Sequence, residues 1–264
     1  RGTLFFNIAN IVNTKIEKGK KPKVLLLENV KGLKNHMKGE TMKTLLRILK
    51  EDLHYEVRTE VLNAKYFGVP QNRERLFFVC WDPEQVKASD FIFPVGLDSN
   101  NKPIFKKDDL GNCIVTRVKD ILEPSESVEE SFTISDRMWI GHQERKKRNK
   151  ENGKGFGYSL FTTDSVYCST ISARYWKDGS EILIDQSEKG LNPRVLTPVE
   201  AGRLQGYHII GNGWEHPICD DVDNISNIEY KIVVSKKEAY RQFGNSVAVP
   251  LIKKIAEEIV KQLM

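Results

Sequence analysis

A single acidic residue is the first candidate for chemistry in this sequence. Glu28 follows residues 24–27, a continuous apolar run typical of a buried strand. Ligands and reacting groups gather at the carboxyl ends of strands in open α/β sheets, so Glu28 is a candidate active-site acid. A helix-capping or surface position is the structural alternative for a lone Glu.

Two arginines at alternate positions form the second candidate. Arg73 and Arg75 stand at the start of an apolar run, and in an extended segment their guanidinium groups share one face. Such a pair suits a carbonyl oxygen or a phosphate, although forks of donors also serve structural salt bridges. A third polar stretch, residues 242–247, is expected to open the last helix, where Asn245 and Ser246 either cap it or contact a small polar ligand.

The elements that must position these groups alternate between helix and strand. Helices are predicted over residues 5–16, 42–53 and 198–205 and after Asn245, and strands over residues 24–27, 55–61 and 76–80. This alternation favours an α/β layered sheet. From about residue 84 to 193 the alternation stops, which indicates a second domain or a large insertion.

Composition and charge limit the classes of protein. Hydrophobic residues make up 39% of 264 residues, and no apolar stretch approaches the ~20 residues that cross a bilayer, so we expect a soluble protein without a membrane partner. The four cysteines form no C-x-x-C pair, which predicts neither a zinc site nor a disulfide framework and favours a reducing, cytoplasmic setting. No other metal site is expected.

One segment has a charge surplus nearly as large as the net charge of the whole chain. Residues 141–154 contain six basic and two acidic residues, a surplus of four, whereas the whole chain has a net charge of +5. Such a surplus suits a polyanion such as nucleic acid. A solvated surface loop is the alternative for a run of charges.

Five stretches, in this order along the chain, resemble motifs of the DNA (cytosine-5-)-methyltransferase family. They are RGTLFFNI (1–8), ENV (28–30), QNRER (71–75), LTPVEAGRLQGY (196–207) and RQFGNSVAVP (241–250). Five short matches in one order are far more specific than any one of them. The resemblance implies an incomplete Rossmann-like, S-adenosylmethionine-dependent methyltransferase sheet and a smaller, irregular, mainly β target-recognition domain.

The resemblance also implies roles for individual residues. In the family, a Cys thiolate attacks carbon 6 of cytosine while a Glu hydrogen-bonds or protonates ring nitrogen 3, which makes Glu28 the ring-activating acid. Arg75 is expected to hold the cytosine carbonyl oxygen, and Arg73 to support the pocket. Leu4, Asn245 and Ser246 are expected on the side of the S-adenosylmethionine cofactor.

The expected domains follow from the same resemblance. Residues 1–83 are expected to form the second half of the catalytic domain, residues 84–193 the target-recognition domain, and residues 194–264 a return segment with a closing helix. Stretches 153–160 and 169–184 resemble Dcm-type bacterial enzymes that modify CC(A/T)GG. Double-stranded DNA is the expected partner, and the basic residues expected to contact it are Arg145, Lys146, Lys147, Arg148, Lys154, Arg174 and Lys177.

Two family features are missing from the sequence. None of Cys80, Cys113, Cys168 and Cys219 follows a Pro, and no Gly-rich turn follows an amino-terminal strand. We expect a truncated sequence, with a naturally split enzyme completed by an amino-terminal half on another chain as the alternative. In either case residues 24–27 should leave an apolar sheet edge that needs a partner, and the isolated chain should be inactive.

Two other functions remain open at this point. A DNA-binding module without catalysis would use residues 84–193, although Glu28, Arg73 and Arg75 count against it. The RNA-modifying branch of the family has a small recognition region, whereas the long segment here favours DNA. The family commonly serves bacterial restriction-modification or host methylation, so the expected location is the bacterial cytoplasm, on nucleoid DNA.

Overall fold

The computed structural model describes residues 3–88, 90–94, 117–209 and 230–264. The chain divides into two compact units. The first consists of residues 1–63, 74–95 and 253–264, and the second of residues 64–73 and 96–252. Each unit therefore combines segments that are distant in sequence.

The first unit contains helices and a three-stranded sheet. Its elements are α1 (Thr3–Glu17), β1 (Val24–Val30), a 3-10 stretch (Lys31–Gly39), α2 (Glu40–Arg47), a π-helical turn (Ile48–Asp52), β2 (Glu56–Asn63) and β3 (Glu74–Trp81). The strand order is β1-β3-β2, and β3 runs antiparallel to both neighbours. The structure thus confirms the predicted helices over residues 5–16 and 42–53 and the three predicted strands.

An apolar core forms beside one face of this sheet. Leu76, Phe78 and Cys80 alternate along β3, so they share a face, and they belong to one buried cluster with Val12 of α1 and Leu49. Each fully buried large apolar side chain contributes about 1.5–3 kcal/mol through removal from water. The opposite face of β3 therefore presents the residues in between, among them Arg75.

Strand β1 lies at an edge of the sheet. Among the described residues it pairs only with β3, and its apolar residues 24–27 are half-buried. An edge strand presents backbone N–H and C=O groups to which a further strand can add. Within the described residues the strand predicted over residues 24–27 is therefore an edge strand, and its need for a partner stays a prediction.

The second unit is held by short strands and longer helices. Its helices and strands are α3 (Asp136–Glu151), β4 (Leu160–Phe161), β5 (Leu183–Ile184), β6 (Arg194–Val195), α4 (Pro198–Arg203) and α5 (Lys236–Asn245). It also contains four 3-10 turns among the described residues (Ala64–Tyr66, Val118–Ile121, Glu130–Phe132 and Ser187–Lys189). The last helix, α6 (Val249–Leu263), begins in the second unit, and its residues from 253 onward belong to the first. Strand β5 pairs in parallel with β4 and antiparallel with β6. Buried residues such as Ile171, Tyr175, Leu196 and Phe243 form its core.

The expectation of mainly β structure for residues 84–193 is wrong for the described part of that region. Its longest element is α3, with 16 residues, whereas β4 and β5 have two residues each. Helix α3 buries only His142 and Asn149, so it lacks the apolar stripe by which a helix is recognised in a sequence. Its amino terminus is capped by Ser135, whose hydroxyl accepts from the Met138 backbone N–H.

The expected position of residues 242–247 is also wrong. Gln242, Phe243, Gly244 and Asn245 form the last turn of α5, and α6 begins only at Val249. Ser246 is in extended backbone and ends α5. A helix end and a helix start carry similar small polar residues, because both need side chains that satisfy unpaired backbone groups. The predicted helices at residues 198–205 and after Asn245 are confirmed as α4 and α6.

Candidate functional site

Glu28 and Arg75 form an ion pair across neighbouring strands of the first unit. In the register of β1 and β3, Glu28 lies opposite Phe77 and Arg75 lies opposite Val30. The two side chains are therefore diagonal neighbours on one face of the sheet. Arg75 Nε is 2.8 Å from Glu28 Oε1, and the Glu28 side chain is 29% exposed. A ligand can still reach the carboxylate.

Burial and the neighbouring Glu28 carboxylate shift the pKa of Arg75 in opposite directions. Burial lowers its pKa from the ordinary value, and the Glu28 carboxylate opposes that shift. Arg75 Nη1 also donates to the Glu74 carbonyl oxygen at 2.8 Å. These contacts orient both side chains before any ligand binds, and they place an acid beside a cationic donor.

Arg73 donates to partners of a different kind, three backbone carbonyl oxygens of the second unit. Its Nη1 donates to the Ile171 carbonyl oxygen at 3.3 Å, and its Nη2 donates to the carbonyl oxygens of Gly244 at 3.3 Å and Ser246 at 2.5 Å. The side chain is buried. A planar guanidinium is suited to three acceptors because its donors form a rigid fork. Arg73 therefore fixes the end of α5 rather than facing solvent.

Gln71 is a buried residue whose role the sequence reasoning missed. Its Nε2 donates to the Leu204 carbonyl oxygen at 3.0 Å, and its Oε1 accepts from the Ile171 backbone N–H at 3.1 Å. Backbone bonds from Asn72 N–H to the Cys168 carbonyl and from Cys168 N–H to the Pro70 carbonyl continue this connection. In the sequence, the position of Gln71 inside the QNRER stretch was the only sign of this buried role.

The three residues expected near the cofactor differ in their surroundings. Leu4 on α1 is 67% exposed. Asn245 is exposed at the end of α5, and the Ser246 hydroxyl is 2.7 Å from the Tyr207 hydroxyl. Leu4 belongs to the first unit, and Asn245 and Ser246 belong to the second.

A buried ion pair fixes α4 and was also missed. Arg194 Nη1 and Nη2 donate to Glu200 Oε2 at 2.7 Å and Oε1 at 2.8 Å. Glu200 completes a capping box with Thr197, since each side chain accepts from the other's backbone N–H. The T-x-x-E spacing of residues 197–200 was the signal that could have located this cap. Both charges of the pair are buried and fully paired, as burial of charge requires.

Most of the predicted DNA-contacting residues lie on or just after α3. Lys147, Arg148 and Lys154 are exposed. Arg145 instead donates to Asp178 Oδ2 at 3.1 Å and to His142 Nδ1 at 3.1 Å. Lys146 donates to the Tyr158 carbonyl oxygen at 3.1 Å and lies 4.1 Å from the centre of the Tyr158 ring. Two of these five cations are therefore engaged within the protein.

The remaining two predicted DNA contacts flank an exposed aromatic side chain. Arg174 and Lys177 are exposed. Lys177 Nζ is 5.5 Å and Lys237 Nζ 4.3 Å from the centre of the Trp176 ring. Trp176 is 38% exposed. Lys237, from α5, was not predicted to belong to this surface, because only the fold brings it beside Trp176.

The described cysteines have the wrong surroundings for a nucleophile. Burial raises the pKa of the Cys80 thiol to about 12 and raises that of Cys168 further, so neither forms the reactive thiolate near neutral pH. Cys113 and Cys219 lie outside the described residues. Within the described segments, no three His, Cys, Asp or Glu side chains are grouped to hold a metal ion, and none of the helices has the length and apolar character for crossing a membrane.

Several methyltransferases match this chain over nearly its whole length. Type II methyltransferase M1.ScrFI of Lactococcus lactis subsp. cremoris is 48% identical over 264 residues, which are 100% of this chain and 57% of that protein. Type II methyltransferase M.NlaX of Neisseria lactamica is 46% identical over 98% of this chain and 68% of its own length. The DNA-cytosine methyltransferase of Escherichia coli K12 is 31% identical over 99% of this chain and 54% of its own length.

A solved structure shares the fold. The Dnmt2 methyltransferase of S. pombe superposes with a TM-score of 0.64 over 97% of this chain and 69% of that chain, at 17% sequence identity. This chain spans 57% and 58% of the first two curated relatives that it matches.

The match to a family model covers nearly every residue described above. The model for C-5 cytosine-specific DNA methylase spans residues 1–261, including the segments that carry Glu28, Arg73, Arg75 and Ser246. The chain belongs to the C-5 cytosine-specific DNA methylase family.

Proposed function

We propose that this chain supplies the cytosine-activating and DNA-binding parts of a DNA (cytosine-5-)-methyltransferase. The observation that carries the proposal is the Glu28–Arg75 pair, an acid and a cationic donor held 2.8 Å apart and still reachable from solvent. Cytosine presents a ring nitrogen and a carbonyl oxygen on adjacent atoms. An acid beside a guanidinium matches that pair of acceptors.

Glu28 and Arg75 act on the ring while other groups act on its carbons. When a cysteine thiolate adds to carbon 6, negative charge moves into the ring, and a proton from Glu28 at nitrogen 3 together with Arg75 at the carbonyl oxygen stabilises it. Once carbon 5 carries the methyl group, a base removes the carbon 5 proton, the thiolate leaves, and the proton at nitrogen 3 returns to Glu28, which restores the aromatic ring. The thiolate of the family belongs to a Pro-Cys motif, which this sequence does not contain.

S-adenosylmethionine is the proposed methyl donor, and it supplies the methyl group that carbon 5 receives. Leu4, Asn245 and Ser246 are the residues of this chain proposed to contact it. In support, the Leu4 side chain on α1 and the Asn245 amide at the end of α5 are each exposed. Arg73 supports this role indirectly, because it binds the Ser246 carbonyl oxygen.

Double-stranded DNA is the proposed substrate. A stacked cytosine must leave the helix before its ring can be reached, and this unstacking costs free energy. The enzyme therefore needs a surface that binds the duplex and offsets that cost. Residues 84–193 are proposed as that target-recognition domain, between a catalytic part at residues 1–83 and a return segment at residues 194–264. A Dcm-like CC(A/T)GG target, a role in restriction-modification or host methylation and a location on DNA in the bacterial cytoplasm belong to the same proposal.

The free edge of β1 is proposed to bind the polypeptide that completes the sheet. Half-buried apolar residues at 24–27 and one unpaired edge within the described residues support addition of a strand there. The completed sheet is proposed to be Rossmann-like. The Pro-Cys nucleophile and the Gly-rich cofactor loop are then supplied by that polypeptide, whether it is part of the same chain or separate.

Methyl transfer and binding assays test the proposal. The chain completed with a polypeptide that carries the Pro-Cys motif should transfer labelled methyl groups to cytosine in duplex DNA, whereas residues 1–264 alone should not. Duplex DNA should compete for binding better than transfer RNA. Methyl incorporation by residues 1–264 alone would contradict the division of roles, and preferential binding of transfer RNA would favour the RNA-modifying branch.

A further inference from the structure

An exposed aromatic side chain follows the basic helix of the second unit. Phe156 is 66% exposed and lies between Gly155 and Gly157 in the segment that connects α3 to β4. The exposed part of the Phe156 ring contributes no hydrophobic stabilisation to the free protein. It is therefore available to contact a partner.

The backbone around Phe156 is fixed to α3 by specific contacts. Asn149 Nδ2 donates to the Phe156 carbonyl oxygen at 2.8 Å, and the Asn149 carbonyl oxygen accepts from the Lys154 N–H at 2.8 Å. Lys146 Nζ donates to the Tyr158 carbonyl oxygen, and the rings of Trp139 and Tyr158 pack edge to face with centres 4.7 Å apart. Asn149 itself is buried.

The loop also approaches α3 too closely for a larger residue. A Cβ atom at Gly157 would lie 2.8 Å from Lys146 Cγ and 3.3 Å from Lys146 Cα. The loop is thus packed on the helix, and the Phe156 side chain remains mostly exposed. Such restraint lowers the entropy that is lost when an exposed side chain becomes ordered in a complex.

The charge of the segment that directly precedes Phe156 in the sequence indicates the class of partner. Residues 141–154 carry a surplus of four positive charges, and Lys147, Arg148 and Lys154 are exposed. Aromatic rings among exposed cations are the combination that binds nucleic acids, because the cations contact phosphates while the ring stacks on bases. Proteins that kink or open a duplex insert apolar side chains such as Phe between base steps.

We propose that Phe156 stacks on bases of the bound duplex where the helix is opened, and that Asn149 and Gly157 position it there. The proposal rests on the proposed function, since it requires that DNA binds to the face of α3. Stacking of one aromatic side chain on a base changes affinity by roughly ten- to a hundredfold. Phosphate contacts by Lys147 and its neighbours act independently of this ring.

Binding of residues 1–264 to two duplexes of one sequence tests the proposal. One duplex is fully paired, and the other contains a single abasic site, which leaves room for a ring between neighbouring base pairs. The wild-type chain should prefer the abasic duplex by roughly tenfold. Phe156→Ala should abolish this preference, Phe156→Trp should retain it, and Leu191→Ala, which removes another exposed apolar side chain of the same unit, should leave it unchanged.

A charge variant separates stacking from electrostatics. Lys147→Ala should weaken binding to both duplexes equally and reduce the salt slope by about one, with the preference retained. The stacking role is overturned if Phe156→Ala prefers the abasic duplex as strongly as the wild type does, or if the wild type shows no such preference. In either case, salt-dependent binding of both duplexes would still support the proposed function. Failure of the wild type to bind either duplex overturns both.

Discussion

Arg75 Nε contacts Glu28 Oε1 at 2.8 Å, and the two residues are offset by two positions in the pairing of β1 with β3. The antiparallel register therefore sets the distance between the acid and its cationic neighbour. A shift of one residue in that register would move one of the two side chains to the other face of the sheet. The pairing of the strands thus decides whether the pair exists.

Glu28→Gln should remove activity from the completed enzyme. The amide keeps the shape of the side chain and still accepts a hydrogen bond, but it cannot provide the proton at nitrogen 3, and general acid–base groups contribute about 10²–10⁴-fold to rates. Methyl incorporation into duplex DNA measures the effect. Glu56→Gln, at an exposed position of β2, is the matched control and should retain full activity. Unchanged turnover in Glu28→Gln would favour a DNA-binding module without catalysis.

Arg73→Lys should destabilise the second unit by about 3 kcal/mol. A single ammonium group cannot reach the three carbonyl oxygens that Arg73 binds on Ile171, Gly244 and Ser246, and each buried acceptor left without its charged donor costs about 1–3 kcal/mol. The free energy of unfolding from urea titration measures the loss. Arg148→Lys at an exposed site of α3 should change it by less than about 0.5 kcal/mol, and equal effects would contradict the buried role of Arg73.

Gly244→Ala and Gly141→Ala should change stability in opposite directions. A Cβ atom at Gly244 would lie 2.3 Å from the carbonyl carbon and oxygen of Ser172, so the backbone must move, at a cost of about 1–3 kcal/mol. A Cβ atom at Gly141 within α3 meets nothing within 4 Å, and Ala there should stabilise by about 0.5–1 kcal/mol. Thermal unfolding of both variants checks this, and a neutral Gly244→Ala would show that the two backbones are not in contact.

His142 should make folding stability depend on pH below its ordinary pKa of 6.5. Burial, with a smaller contribution from Arg145, lowers the pKa of the buried His142 ring, and Asp178 opposes the shift. The unfolded chain therefore takes up this proton first, so stability is lost as pH falls from 6.5 to the lower folded pKa. Urea titrations at about pH 7.5 and about pH 5.5 should show a larger loss for the wild type than for His142→Gln, and parallel losses would contradict the shift.

The sequence predicted those elements that show a simple periodicity. Helix α1, α2 and the strands of the first unit each have an apolar stripe or a continuous apolar run, so their positions followed from the spacing alone. Helix α3 was missed because its buried residues, His142 and Asn149, are polar. The ending of α5 at Asn245 was taken for the start of α6, because the same small polar residues serve both ends of a helix.

Glu28, Arg73 and Arg75 could be chosen from the sequence, because residue type and motif order carry chemical information without coordinates. The partners of these residues could not. Arg75 meets Glu28 through strand pairing across 47 positions of sequence, and Arg73 reaches carbonyl oxygens about 100 and 170 positions away. Likewise, the sequence indicated a basic segment, but only the tertiary structure shows that Arg145 and Lys146 are engaged internally while Lys147 and Arg148 remain exposed. Local spacing determines which side chains a segment presents on one face. Long-range pairing and packing decide which of them make contacts within the protein and which remain exposed to a ligand.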